Sequence, residues 1–126
     1  MTARNQRGFT LVSVLVALAI LAIGLLALAR AQAAMVASQG NVANRTTALT
    51  IARDYAEILR SRDPWTLVSE TPVAVDARGQ ASANGAYRRS TNVTILANNL
   101  IRLQILVTYP RSATPVDITT LIYRST

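Results

Sequence analysis

The side chains that most often carry out chemistry are scarce in this sequence. The chain contains no histidine and no cysteine, which removes the commonest general base and the thiolate metal ligand. Six carboxylates are scattered along the chain without a close pair suited to acid–base catalysis: Asp54, Glu57, Asp63, Glu70, Asp76 and Asp117. We therefore predict that the protein is not an enzyme, has no catalytic residue and holds neither a metal nor a cofactor.

All thirteen basic residues are arginine, and the formal net charge is +7. A positive balance favours anionic partners such as DNA or lipid headgroups. Arginines that contact phosphates, beside aromatic rings that stack on bases, are typical of non-specific DNA binders. The candidate anion-binding arginines lie in or near the predicted strands, interleaved with three tyrosines: Arg88, Arg89, Arg102, Arg111 and Arg124. The plainer interpretation is that they are solvated side chains on ordinary strand faces.

One segment, from Phe9 to Ala29, has 21 residues and no charge. As a helix it would be roughly 31 Å long, close to the hydrocarbon thickness of a bilayer. Arg4 and Arg7 precede it, and the positive-inside rule then places the amino end in the cytoplasm. We predict a single membrane span, with the bulk of the chain outside the inner membrane.

The start of this segment, residues 7–12 (RGFTLV), resembles the prepilin signal of type IV pilins and type II secretion pseudopilins. The apolar residues at 14–18 and 21–26 look most like those of minor pilins of the PilV type. The resemblance is strong over residues 7–32 and is one of architecture beyond them. It implies that a prepilin peptidase cleaves between Gly8 and Phe9, and that the new terminus at Phe9 is N-methylated.

Two other interpretations of the amino-terminal segment stay open. A secretory signal peptide ends at a small-x-small site, which residues 27–29 (ALA) provide, and its cleavage would leave Arg30 as the first residue. A plain signal anchor would also be basic and then apolar. Neither alternative requires a Gly-Phe pair at positions 8 and 9, so the sequence favours the prepilin interpretation.

The resemblance implies three parts: a cleaved leader (residues 1–8), a helix half that spans the membrane and later forms the filament core (9–29), and a periplasmic head (30–126). The head would end up in a periplasmic or extracellular filament. The expected partners are the prepilin peptidase, the inner membrane and other major and minor pilins. The expected function is a minor pilin or pseudopilin that aids filament initiation, capping or tip function. The alternative is a pilus-associated module whose arginine- and tyrosine-bearing head binds DNA during uptake or a surface during adhesion.

Ser13 occupies a position at which most members of this family carry a glutamate. That glutamate is thought to neutralise the terminal amine of a neighbouring subunit, a role that a serine hydroxyl cannot fill. One interpretation is a tolerated substitution in a low-copy subunit. The other is a place at or near the filament tip, because the tip pseudopilin of secretion systems is similar in lacking this glutamate. The sequence does not decide between a type IV pilus and a type II secretion pseudopilus.

The pattern of the remaining chain predicts an α+β, pilin-like fold. No proline occurs before Pro64, which favours one helix from Phe9 to about Ser61. Residues 62–86 are predicted to be a connecting loop, and residues 87–126 alternate apolar and polar side chains as about three antiparallel strands. The sheet should cover one of two apolar lines on the helix. These lines are Met35, Val42, Leu49, Ala52, Ala56 and Leu59 on one side, and Ile51, Tyr55 and Ile58 on the other.

Overall fold

The computed structural model describes residues 10–96 and 99–125. They fall into two compact units that divide between Ser38 and Gln39. A single helix, α1, runs Leu11–Arg60, close to the predicted bounds. The predicted leader and the Gly8–Phe9 junction lie outside the described residues, so the cleavage and methylation sites stay predictions.

The first turn of α1 is capped by Thr10. The Thr10 hydroxyl oxygen accepts a hydrogen bond from the backbone N–H of Ser13 at 3.3 Å, and the two hydroxyls share a hydrogen bond of 2.9 Å. A threonine that precedes the first helical residue and accepts a hydrogen bond from the backbone N–H of the third helical residue is a typical N-cap. The helix therefore begins on a side chain that satisfies one of its free backbone donors.

The second unit, Gln39–Thr126, contains an antiparallel sheet whose strand order follows the chain. A short 3₁₀ helix at Pro64–Thr66 separates α1 from the sheet. The strands are β1 (Glu70–Val75), β2 (Tyr87–Leu96), β3 (Leu100–Thr108) and β4 (Val116–Tyr123). The described residues thus form four strands rather than the predicted three, and the last three strands lie where the alternation predicted them.

The additional strand, β1, lies inside the segment that was predicted to be a loop. Its register on β2 is interrupted between Glu70 and Val73, next to Pro72, so it does not alternate cleanly in sequence. Val75 at its end is fully buried and pairs with Tyr87. Pairing to β2, rather than the local pattern, makes this segment a strand.

The core of the second unit forms where α1 packs against the inner face of the sheet. The buried side chains of α1 recur at helical spacing: Ala48, Ile51, Ala52, Ala56 and Leu59. They pack in one cluster with three fully buried side chains of β3: Leu103, Ile105 and Val107. Small alanines on the helix allow the backbone of α1 to approach the sheet closely.

The buried face of α1 combines parts of both predicted apolar lines. Ile51 and Ala52, from different lines, are both buried, and Tyr55 is half-buried. Val42, Met35 and Ile58 are exposed. The prediction that a single line would be covered was therefore wrong, because the sheet covers the stripe that runs between the two lines.

The connection between β1 and β2 is held by backbone contacts. Asp76 begins a turn in which its carboxylate accepts from the N–H groups of Arg78 and Gln80, each at 2.9 Å. Gly79 in this turn has φ 77°, a conformation that glycine adopts without strain. Gly85 lies against the backbone of Val75 so closely that an added Cβ would overlap the Val75 carbonyl.

Candidate functional site: the start of the helix and the arginines of the sheet

The first half of α1 is suited to an apolar surrounding. Its large side chains from Leu11 to Leu28 are exposed, although they are strongly apolar. Across residues 10–96 and 99–125, it is the one helix long and apolar enough to cross a membrane. An uncharged helical surface of this length is stable in lipid, or packed among similar helices, because its backbone polar groups are bonded within the helix.

No acidic side chain lies in the first turn of α1. Ser13, at the position where the resemblance expects a carboxylate, instead bonds to the Thr10 hydroxyl at 2.9 Å. The hydroxyl pair leaves this turn neutral, so Ser13 offers a neighbouring cation no countercharge.

The structure separates the five candidate anion-binding arginines by sheet face. Arg88 and Arg102 share the outer face of the sheet, because Arg88 pairs with Thr108 and Arg102 pairs with Thr94. Both arginines are exposed. Their positions differ by six residues along β3, which corresponds to roughly 20 Å. Arg111 is also exposed, in the turn that connects β3 to β4, with φ 65°.

Arg89 lies on the inner face and is engaged within the protein. Its guanidinium sits 3.6 Å from the centroid of the Tyr55 ring. Its Nη1 donates to the Gly79 carbonyl at 3.2 Å, and its Nη2 lies 3.7 Å from a Glu70 carboxylate oxygen. These contacts tie α1, β1, β2 and the turn at residues 76–80 together, so Arg89 is positioned for structure rather than for an external anion.

Arg124 is likewise held inside the second unit. It is 9% exposed, and its guanidinium lies 4.6 Å from the centroid of the Trp65 ring. Its backbone N–H donates to the carbonyl of Asn99 at 2.7 Å, which extends the pairing of β3 with β4. Trp65 therefore contacts the second unit through Arg124, although the tryptophan remains half-exposed.

The alternation of the strands carries a signal that could have separated these arginines from sequence. Arg89 has the same parity as the buried Thr91, whereas Arg88 and Asn92 share the exposed face. In a half-buried strand, neighbouring residues point to opposite faces. An arginine in register with the apolar face is expected to find partners inside the fold.

The surroundings of Tyr55 shift the pKa of its side chain. Burial, together with the hydrogen bond that Tyr55 donates to Glu70 at 2.8 Å, raises the pKa of the Tyr55 phenol above its ordinary value of 10.0, and Arg89 opposes this shift. No group of His, Cys, Asp and Glu side chains that could hold a metal occurs among the described residues.

The comparison with protein families gives one match. Residues 3–29 match the family described as the prokaryotic N-terminal methylation motif. Neither the curated proteins nor the solved structures contain a match to this chain. The matched range includes Gly8 and Phe9, Thr10 and Ser13, and the uncharged half of α1.

A methylation motif of this kind is typical of type IV pilins and pseudopilins and implies assembly with other pilins and processing by a prepilin peptidase. It points to a structural subunit rather than an enzyme, and with the long apolar helix it fits a membrane-anchored pilin. The PilV subtype is not confirmed. The chain carries the prokaryotic N-terminal methylation motif of type IV pilins and pseudopilins at the start of a pilin-like α+β fold.

Proposed function

We propose that this chain is a minor pilin or pseudopilin that is cleaved between Gly8 and Phe9 and enters a type IV filament through residues 9–29. The proposal is supported by two features that occur in the same stretch of chain. The methylation motif covers residues 3–29, and from Leu11 to Ala29 these residues form an uncharged, exposed helix. Such a helix needs lipid before assembly and apolar neighbours afterwards.

The neutral first turn of α1 supports a place at the start or tip of the filament. A subunit inside a filament has neighbours on both sides, and its first turn would meet the terminal amine of the next subunit. Ser13 and Thr10 satisfy each other and supply no carboxylate for that amine. A subunit with no further subunit ahead of it requires none, which is the arrangement that we propose here.

The proposed topology places the amino end of α1 in the cytoplasm and the second unit in the periplasm. Arg4 and Arg7 before the uncharged segment support this orientation, because no arginine lies between Arg7 and Arg30. The second unit would then be carried outward when the filament extends.

Mass spectrometry of the mature protein, isolated from its native membrane, tests the proposal. We expect a chain that begins with N-methylated Phe9. The matched variant Gly8→Val should keep its leader, because a branched side chain before the cleaved bond hinders close approach of the peptidase to the backbone. A mature chain that begins at Arg30 would contradict the proposal, since that protein has lost its apolar helix and cannot enter a filament.

The alternative function, contact with DNA or a surface through the arginines of the head, has narrower support. Two of the five candidate arginines, Arg89 and Arg124, are bound to aromatic rings of the same chain. Arg88 and Arg102 remain on one open face, a smaller electrostatic surface than the sequence indicated. We therefore prefer the structural function.

A further inference from the structure

The pairing of β4 with β3 shows which residues of β4 have backbone groups that point to its open edge. The backbone N–H of Arg124 donates to the carbonyl of Asn99 on the β3 side. In an antiparallel pair, every second residue directs both backbone groups to the partner strand and the residues between direct theirs away. The residues of β4 whose N–H and C=O groups therefore point away from β3 are Asp117, Thr119, Leu121 and Tyr123.

The opposite edge of the sheet is covered. Ala74 of β1 directs its carbonyl away from β2, and the N–H of Ser82 donates to it at 3.0 Å. The N–H of Asp76 just beyond the strand donates to the carbonyl of Gln80 at 2.9 Å. β1 is also short and irregular. These are devices by which proteins protect a sheet edge from further pairing.

β4 has none of these devices in the described part of the chain. It pairs with β3 in unbroken register over eight residues, with no proline inside the strand. Its outward backbone groups have no described backbone partner. A regular, open edge of this length is a template for one more strand.

Space for such a strand exists between β4 and α1. One hollow of about 620 Å³ lies between the helix at residues 41–49 and the start of β4 at residues 116–117. A second, of about 470 Å³, lies between the helix at residues 49–60 and residues 118–120 of β4. Leu49 lines both hollows, which gives the two a shared apolar wall.

The charge on the helix side of these hollows is positive. Arg45 lines the first and Arg53 lines the second, and neither forms an ion pair with another described residue. The two acids at the hollows are already bonded: Glu57 lies 3.1 Å from Arg60, and Asp117 accepts from Gln104 at 2.7 Å. The Gln104 amide is neutral, so Asp117 keeps its negative charge. The hollows are nevertheless lined by three arginines (Arg45, Arg53 and Arg60) and two acids (Glu57 and Asp117), so the net charge that faces an added strand is positive.

We propose that the edge of β4 binds an extended, acidic segment of a partner protein, which adds to the sheet as a fifth strand. The backbone of the segment pairs with the outward groups of Thr119 and Leu121, and its carboxylates approach Arg45 and Arg53. Main-chain hydrogen bonds supply affinity in this mode of binding, and the side chains along the groove supply specificity. This inference rests on the second unit alone and does not depend on the proposed filament function.

A second copy of this chain is a poorer occupant of the edge. The second unit contains ten arginines and six acids. Pairing two β4 edges would bring Arg45 and Arg53 of both copies toward the same groove. Repulsion between like charges disfavours that arrangement, whereas an acidic strand removes it.

The first experiment uses the full chain in detergent micelles and a ten-residue probe peptide that alternates valine with glutamate. The matched control replaces each glutamate with lysine. We expect the glutamate peptide to bind at least tenfold more tightly. We also expect it to slow hydrogen exchange at the N–H groups of Thr119 and Leu121 at least tenfold. Equal binding of the two peptides, or binding without this protection, would overturn the proposal.

Two variants of the protein test the edge and the charge separately. Thr119→Pro removes one outward donor, which an edge strand tolerates, whereas Thr119→Val keeps it. We expect the proline variant to bind at least tenfold more weakly and the valine variant to remain within twofold of the unchanged protein. Arg53→Glu should weaken binding of the glutamate peptide and strengthen that of the lysine peptide. Unchanged affinities in these variants would refute the assignment.

If Thr119→Pro does not fold, modified peptides can test strand addition on the unchanged protein. The glutamate peptide can be N-methylated at its odd-numbered or at its even-numbered residues. Only one of these two peptides loses the N–H groups that face β4. We expect one version to lose binding and the other to retain it. Equal binding of both versions would exclude strand addition. Slow hydrogen exchange at the N–H groups of Thr119 and Leu121 in a dimer of the chain, with neither peptide bound, would instead assign the edge to a second copy.

Discussion

The guanidinium of Arg89 lies over the Tyr55 ring at 3.6 Å from its centroid. The same Tyr55 hydroxyl donates to Glu70 at 2.8 Å, and Glu70 lies 3.7 Å from Arg89. One residue from α1, one from β1 and one from β2 therefore form a closed set of contacts. Because both charged side chains are more than half-buried, the set stabilises the packing of helix and sheet more than an exposed ion pair would.

The first prediction compares the neighbouring arginines of β2. Arg89→Ala removes a cation–π contact and a hydrogen bond to Gly79, and leaves Glu70 without its cation. We expect it to lower the free energy of unfolding by about 1–3 kcal/mol. Arg88→Ala should change it by less than about 0.5 kcal/mol, because Arg88 is an exposed side chain. Urea unfolding of the full chain in detergent, followed by Trp65 fluorescence, measures both. Equal losses would contradict the assignment of Arg89 to the fold.

The second prediction concerns alkaline pH. The pKa of Tyr55 is raised above 10.0 in the folded protein, because burial and the bond to Glu70 favour the neutral phenol. A raised folded pKa contributes stability that is fully present below pH 10 and is lost as pH rises through the folded pKa. Tyr55→Phe has no such group to titrate.

The measurement is the difference in unfolding free energy between Tyr55→Phe and the unchanged protein. We expect the unchanged protein to be more stable by about 1 kcal/mol near neutral pH. The difference should be constant between pH 7 and 9 and should shrink above about pH 10. A difference that grows at alkaline pH would show that the folded pKa is lowered instead.

Local patterns predicted the elements of this fold where the burial of side chains is periodic. The strands β2, β3 and β4 alternate with period two, and the second half of α1 carries apolar side chains at helical spacing. The first half of α1 was predicted from its uncharged run and the absence of proline. β1 escaped prediction because Pro72 and an irregular register interrupt its alternation. Its strand conformation depends on pairing with β2, whose paired residues lie between 12 and 21 positions away in sequence. A local pattern does not contain that information.

The amino-terminal motif and the arginines of the sheet were predictable from sequence to different extents. Residues 3–29 carry a motif that a family model recognises, because cleavage and membrane insertion depend on a contiguous run of residues. Whether an arginine side chain is exposed or bound within the fold depends on contacts between elements that are distant in sequence. Arg124 contacts Trp65 across 59 positions of sequence. The sequence pattern placed both Arg89 and Arg124 among the candidate anion-binding side chains.

The third prediction contrasts two glycines. Gly85→Ala places a Cβ into the backbone of Val75, which cannot move aside as a flexible side chain would. We expect a loss of about 2–4 kcal/mol in unfolding free energy, since a buried strand must shift. Gly40→Ala adds a Cβ with nothing within 4 Å inside α1, where alanine is favoured over glycine by about 1 kcal/mol. It should stabilise the protein. Thermal unfolding followed by circular dichroism distinguishes the two, and a tolerated Gly85→Ala would contradict the packing of residues 75–85.

The last prediction addresses the neutral first turn of α1. A glutamate at position 13 costs about 2.5–3.5 kcal/mol in lipid unless it finds a partner, and within a filament the terminal amine of a neighbouring subunit is such a partner. We therefore expect Ser13→Glu to enter the shaft of the filament in more copies than the unchanged protein. Ser13→Gln, which has the size of glutamate without its charge, should remain at low copy number.

Gold-labelled antibodies against the second unit locate each protein on isolated filaments. We expect label at one end for the unchanged protein and for Ser13→Gln, and label along the shaft for Ser13→Glu. The physical reason is that Ser13 satisfies its hydroxyl on Thr10 within the same turn and leaves no charge for a subunit ahead. If the unchanged protein is itself labelled along the shaft, the neutral turn does not exclude internal positions, and Ser13 is a substitution that other contacts of α1 tolerate.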